Sequence, residues 1–318
     1  MNIIYLQKRQ SDKCVSNDII YEFEQTIIND TKFLKNSRNW IEKIAFIFSI
    51  KFQSIFKLFS REKINQTFSM LMGTGDFYSF IYEYKKHQSN CAYLFDAWFQ
   101  DHHEIELFCK LANFQYIFCS SSIATQKLNQ SINNTKFIWI PEAINISNYT
   151  FLDYKEKTID VLQFGRKYED IQQKLSLFLE KESITYLYEK EKGDIVFKTR
   201  EDFINGLAAT KISLCFPRSC THPNLAEGQE TMTIRYLQSM ASKTLVVGKC
   251  PEEMKKLFSY NPIIELDLTN PGEHIKKILD NYSDYIPLIE RNYYEVLNNH
   301  QWKNRWETMK SIMYTSYK

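Results

Sequence analysis

An alternation that runs through the chain twice limits what it can fold into. Short apolar segments, "NIIYL" (2–6), "FSMLMG" (68–73), "AYLFD" (92–96), "YIFCSS" (116–121) and "KFIWIPE" (136–142), read as buried strands. Between them lie stretches with helical spacing, among them "EIELFCKLANF" (104–114) and residues 122–130. Strands separated by helices pair in parallel, because a parallel pair needs a crossover of a dozen or more residues. Pro141 closes this first series, since proline cannot donate to a central ladder. A polar stretch without clear period follows, "INISNYTFLDYKEKT" (144–158), and then the alternation restarts. Strands "IDVLQFG" (159–165), "SITYLYE" (183–189), "KISLCFP" (211–217), "TLVVG" (244–248) and "PIIELDL" (262–268) alternate with helices over 169–181, 201–210, 233–242 and 251–258. Helices run from there to the end.

The pattern predicts an α/β chain of two Rossmann-like, doubly wound domains facing a central cleft, over 1–150 and 151–300. A C-terminal helix over 301–318 is free to pack back on the first domain. Doubly wound sheets bind ligands beyond the carboxyl ends of their strands, at the point where strand order reverses. The residues that follow strands are therefore the ones to inspect. They are Asp96, Trp98 and His102 in the first half, and Gly165, Arg166, Lys167, Pro217, Arg218 and "ETMTIRYLQSMASKTLVVG" (230–248) in the second.

Composition narrows the function. With 318 residues, 44% hydrophobic and 15% aromatic, the chain can bury a large core. A formal charge of +2 gives no overall basic surface for nucleic acid, so no nucleic-acid partner is expected. Seven cysteines include no C-x-x-C and sit mostly in apolar runs, which reads as buried thiols of a cytoplasmic protein. Met1–Leu6 reads as a first strand rather than a secretory leader. Residues 39–63 hold apolar side chains on and beyond one helical face. From Lys32 to Lys63 eight Lys and Arg stand against two Glu. That combination suits either an anionic membrane surface, placing the protein peripherally on the inner face, or a core helix with a solvated lysine edge.

The residues "VLQFGRK" and "ETMTIRYLQSMASKTLVVG", set in two Rossmann halves, resemble the donor half of GT-B glycosyltransferases of the group-1, CgeB-like type. In that family two acidic residues separated by seven positions flank the donor nucleotide sugar, before a small-residue helix end and an apolar strand. Here the first acid matches Glu230, the second position is Gln238, and Lys243 stands where the family has glycine. The resemblance covers residues 92–310.

It implies a transferase that uses a nucleotide sugar as co-substrate, without a metal or other cofactor. The leaving diphosphate would be stabilised by a helix N-terminus and cationic side chains. By resemblance, Gly165, Arg166 and Lys167 would hold the diphosphate. Thr231 and Thr233 would offer hydroxyls and amides, and Arg235 or Arg218 a second cation. Glu230 would meet the sugar hydroxyls and Gln238 the ribose. The first half would receive the acceptor, a glycan or lipid-linked glycan of a bacterial surface polysaccharide. Asp96, His102 or His103 would supply a base or hydrogen-bonding group there. Transfer to DNA or protein, or nucleotide and glycan binding without catalysis, are the alternatives.

Blander readings stand beside these. Glu230 and Thr233 can simply cap and solvate a helix end. "DHHE" (101–104) invites a zinc site, yet adjacent histidines on a helix point in different directions, so no metal is expected. "ELD" (265–267) imitates a D-x-D metal motif but belongs to a strand pattern. No G-x-S-x-G is present to support a serine hydrolase.

Overall fold

The computed structural model describes residues 3–7, 18–35, 62–191 and 193–315. The apolar, basic segment over 39–63 lies outside these, apart from Glu62 and Lys63 at the start of a strand. Two compact units form. Residues Met1–Glu142 and Arg305–Lys318 make the first, and Ala143–Asn304 the second. No helix among the described residues is long and apolar enough to cross a membrane.

In the first unit six strands are described. They are β1 (Ile3–Gln7), β2 (Thr31–Lys35), β3 (Glu62–Leu71), β4 (His87–Leu94), β5 (Phe114–Cys119) and β6 (Lys136–Trp139). They form one sheet in the order β2-β1-β3-β4-β5-β6, and every pair is parallel. Its core packs Phe77, Phe80 and Tyr84 of the 77–86 helix with Ile105 and Phe108 of the 102–111 helix against Phe114 and Ile117. Phe77 stacks on Phe108 at 4.5 Å and meets Phe114 edge-on at 5.6 Å, arrangements that add to the area burial of each ring.

The end of the chain returns to this unit in the helix Trp302–Thr315. Trp306 is buried against Phe23 and Phe68, and its indole donates to Asp30 at 2.7 Å. Lys310 donates to the same carboxylate at 2.8 Å, which holds Asp30 below the usual carboxylate range. Glu142 ends the first stretch of this unit, ahead of the boundary at 150 that the change of pattern predicts.

The second unit carries β7 (Ile159–Gln163), β8 (Tyr186–Tyr188), β9 (Thr210–Cys215), β10 (Leu245–Gly248) and β11 (Ile264–Glu265). The order is β11-β10-β9-β7-β8, again all parallel. All four residues of β10 are buried, which is why "LVVG" shows no polar alternation. Counted within each unit, the sheets have the orders 2-1-3-4-5-6 and 2-1-3-4-5, so strand order reverses between β1 and β3 and between β7 and β9.

Candidate functional site

In the second unit the reversal point is built by three residues. Phe164 follows β7 and Phe216 follows β9, and Arg235 ties the two strand ends together. Its Nη1 donates to the Phe164 carbonyl at 3.1 Å and its Nη2 to the Phe216 carbonyl at 3.3 Å. Its Nε donates to the Thr233 hydroxyl at 3.4 Å. Gly165 makes room for this. Its φ is +79°, and a Cβ there would lie 2.5 Å from Arg235 Nη1. Gly165 thus lets a guanidinium lie against the strand end. A second close approach occurs at Gly248, where φ is +146° and a Cβ would lie 2.0 Å from the Cys215 carbonyl oxygen.

Cations follow both strands at this point. Arg166 and Lys167 come after β7 and are half-buried, with Lys167 Nζ donating to the Lys190 carbonyl at 3.2 Å. Arg218 comes after β9 and begins the short helix Arg218–Thr221. Gly165, Arg166, Lys167, Arg218 and the 230–235 stretch therefore converge on the carboxyl edge of one sheet.

The polar stretch before the 234–241 helix does two different things. Glu230 caps a neighbouring helix rather than its own. Its Oε1 accepts from the Glu252 amide at 3.0 Å, at the start of the helix Glu252–Leu257, and its Oε2 accepts from Ser219 Oγ at 3.4 Å. In return, buried Glu253 accepts from the Met232 amide at 2.9 Å. This pair of ties fixes the loop. Thr231 is buried, and Thr233 takes the N-cap position with extended backbone. The Thr233 side chain does not cap the first amides of the 234–241 helix; its hydroxyl accepts from Arg235 instead. Gln238, one turn on, is buried and donates to the Tyr149 hydroxyl at 3.0 Å, so its amide has a protein partner.

In the first unit, Asp96 and His102 lie beyond the carboxyl end of β4. The Asp96 amide donates to the Met72 carbonyl at 3.0 Å. His102 begins the helix His102–Leu111, and its ring meets Phe99 edge-on at 5.4 Å. Lys127 Nζ sits 3.3 Å from the Phe99 ring centre. Burial lowers the His102 pKa, with Lys127 acting in the same direction, while a hydrogen bond to the Ala97 carbonyl opposes them. That bond engages one ring nitrogen and leaves Nε2, shielded from solvent, without a hydrogen bond. The imidazole is thus a neutral acceptor near pH 7. His103 is exposed and Trp98 buried. Among the described residues no group of three His, Cys, Asp or Glu could hold a metal ion.

Two contributors escape a reading of the sequence. Glu253 sits in a lysine-rich exposed-looking segment, and nothing local signals its tie to Met232. Arg235 is visible as a cation, but its contacts to Phe164 and Phe216 span 71 and 19 residues of sequence.

No family model and no curated protein matches the chain. Solved structures do. The HepE protein of Anabaena, in complex with UDP and glucose, superposes with a TM-score of 0.62 at 9% identity, covering 99% of this chain and 100% of that one. Sucrose-phosphate synthase of Thermosynechococcus elongatus gives 0.63 at 8% identity, covering 100% and 99%. A TarM variant of S. aureus, bound to fondaparinux, a GlcNAc-glycerol and UDP, gives 0.52 at 12% identity over 77% of this chain and 55% of that one. At such identities the likeness is one of architecture. The likeness spans nearly the whole chain, which has the fold of the GT-B glycosyltransferases.

Proposed function

We propose that the chain transfers a sugar from a nucleoside-diphosphate sugar to a hydroxyl of a glycan. The observation that carries this reading is the carboxyl edge of the second unit's sheet. There β7 and β9 part, Arg235 and Gly165 shape the gap, and a cation follows each strand. Arg166, Lys167 and Arg218 supply positive charge where a diphosphate leaves, and the first amides of the 234–241 helix add donors at the same edge. Uridine is the nucleotide to test first, because the HepE and TarM structures hold UDP.

In the transfer, the acceptor oxygen bonds to the anomeric carbon and the bond from that carbon to the diphosphate oxygen breaks. The electron pair leaves on the nucleoside diphosphate, where the cations offset its charge. The acceptor's proton goes to a base, and we assign that role to His102, whose ring is half-buried and whose pKa burial lowers. The chemistry asks for no metal, since side-chain cations and backbone amides provide the charge stabilisation. The TarM structure holds fondaparinux, a glycan, so a glycan is the acceptor class to try first, and a bacterial surface glycan is our choice within it.

Turnover tests this. Consumption of a UDP-sugar with release of UDP should survive EDTA and fall by at least about tenfold in Arg166→Ala. Activity that EDTA abolishes and Mg²⁺ restores overturns the metal-free reading. A second reading, nucleotide binding without transfer, draws on Gln238, whose amide is committed to Tyr149. UDP binding without turnover of any UDP-sugar would decide for it.

A further inference from the structure

At the opposite end of the first unit's sheet from His102 lies a cavity of about 750 Å³. It opens where β4, β5 and β6 begin, between Ser89, the Asn113–Gln115 stretch and residues 129–136. Its lining is chemically narrow. Among the described residues carboxamides and hydroxyls dominate, with Phe114 and Ile132 as buried apolar floor and Lys136 as the one charged residue. No carboxylate among the described residues faces it to hold a metal cation. One exposed lysine is too little for a multiply charged anion.

The walls are held in place by bonds that leave other groups available. Asn129 pins the start of β6, accepting from the Phe137 amide at 3.0 Å and donating to its carbonyl at 2.8 Å. Asn134 donates to the Cys109 carbonyl at 2.8 Å. Gln115 Oε1 accepts from Ser89 Oγ at 2.8 Å and from Gln66 Nε2 at 3.3 Å, while its own amide nitrogen faces no such commitment. Two buried groups remain unsatisfied beside it. Gln66, wholly buried behind Gln115, has no hydrogen bond to its Oε1. Thr135, 5% exposed on the cavity wall, has only the Cys109 thiol beside its hydroxyl. Buried polar groups without partners are rare in folded proteins, and of these two only Thr135 lines the cavity, where a bound hydroxyl could reach it.

We propose that this cavity is a second carbohydrate site, taking a neutral oligosaccharide segment of the glycan on which the enzyme acts. Carboxamides suit sugar hydroxyls because each one both donates and accepts, as a hydroxyl does. The volume falls in the range of small-molecule pockets, about 300–1,000 Å³, which admits more than a single sugar ring. The polar, open lining gives weak binding that holds a growing chain near the enzyme without trapping it. The choice of glycan as the ligand rests on the glycosyl-transfer reading, while the site itself rests on the cavity.

The test is a titration of the full chain, deuterated and labelled with ¹⁵N, reading side-chain amide resonances. The probes are maltotriose, cellotriose and triacetylchitotriose, with glucose, N-acetylglucosamine and inorganic phosphate alongside. At least one trisaccharide should move the Gln115, Asn133 and Asn134 amide signals saturably, and more strongly than its monosaccharide. Asn133→Ala and Gln115→Met should each weaken binding about three- to tenfold. Asn133 is exposed, so Asn133→Ala keeps its melting temperature; Gln115→Met removes the acceptor of Ser89 and buried Gln66 and melts lower, its fold checked by an unchanged backbone amide spectrum. The proposal fails if no trisaccharide moves these signals, if phosphate moves them more, or if binding persists undiminished in the double variant. No nucleotide is present in the titration, so a negative result leaves the transfer reading standing, and loss of transfer leaves the binding result readable.

Discussion

Lys243 adopts a left-handed backbone conformation, φ +49°, where the helix 234–241 turns into β10. The Thr244 amide donates to the Ser239 carbonyl at 2.9 Å and the Lys243 amide to the Met240 carbonyl at 3.1 Å, which is a Schellman ending. Glycine meets this conformation without strain, so lysine must be held by its side chain. Lys243 Nζ donates to Glu290 Oε1 at 2.8 Å and lies 4.2 Å and 4.9 Å from the Phe151 and Tyr293 ring centres. Lys243→Ala loses those contacts and keeps the strain, whereas Lys243→Gly loses both. Chemical denaturation should find the glycine variant more stable than the alanine one by about 1 kcal/mol. Equal stabilities would mean that the turn carries no strain.

Glu230 gives a second prediction of this kind. Glu230→Gln retains an oxygen for the Glu252 amide and should melt near the native temperature. Glu230→Ala should lose about 0.5–2 kcal/mol as a lost cap. For His102, the lowered pKa places the acid limb of a pH–rate profile below the free-histidine value of about 6.5, with activity falling as the ring protonates. His102→Gln should remove most turnover and leave UDP binding unchanged. A profile with no titration in that range would remove His102 from the mechanism.

Elements depend on such residues at their ends. Lys157 is buried and donates to the Ala208 carbonyl at 2.7 Å and the Ser242 carbonyl at 3.2 Å, the C-terminal ends of the 200–208 and 234–241 helices. Two helix ends thereby share one cap. Burial, with Lys243 nearby, brings the Lys157 pKa down to about 7. The folded pKa lies below the unfolded one, so between these values the unfolded chain binds more protons and stability rises with pH. The stability of native protein relative to Lys157→Met should therefore increase from about pH 7 towards pH 10. A difference that stays flat across this window would mean that Lys157 keeps its ordinary pKa in the fold.

The elements were unevenly legible in the sequence. The helix read over 169–181 lies at Glu169–Lys181, because Ile171, Leu175 and Leu179 recur at helical spacing and are buried. β11, expected over 262–268, shrinks to Ile264–Glu265. Pro262 has no amide to donate, and Asp267 turns the chain by accepting from the Thr269 amide at 2.9 Å. β2, "TKFLK", carries no clear strand signal in the sequence. It is a lysine-flanked edge that pairs with β1 alone, so it lacks the continuous apolar run of a central strand.

At the scale of the whole molecule, alternation of strand and helix was enough to indicate two parallel sheets, because that pattern has few other solutions. The return of Arg305–Lys318 to the first unit depends on Trp306 and Asp30, which are 276 residues apart, and no local signal specifies such a contact. The candidate site is legible only as residue types placed after strands. Its wiring is not, since Arg235 and Glu230 spend their polar atoms on partners distant in sequence.

On the proposed function, the second unit binds a nucleoside diphosphate where β7 and β9 part. Isothermal titration of UDP into the native protein and into Arg166→Ala tests it most directly. Loss of a charge-assisted contact should weaken UDP binding by one to two powers of ten, about 1.5–3 kcal/mol, at an unchanged melting temperature. Equal affinity in the two proteins, or no heat of UDP binding to the native one, would contradict it.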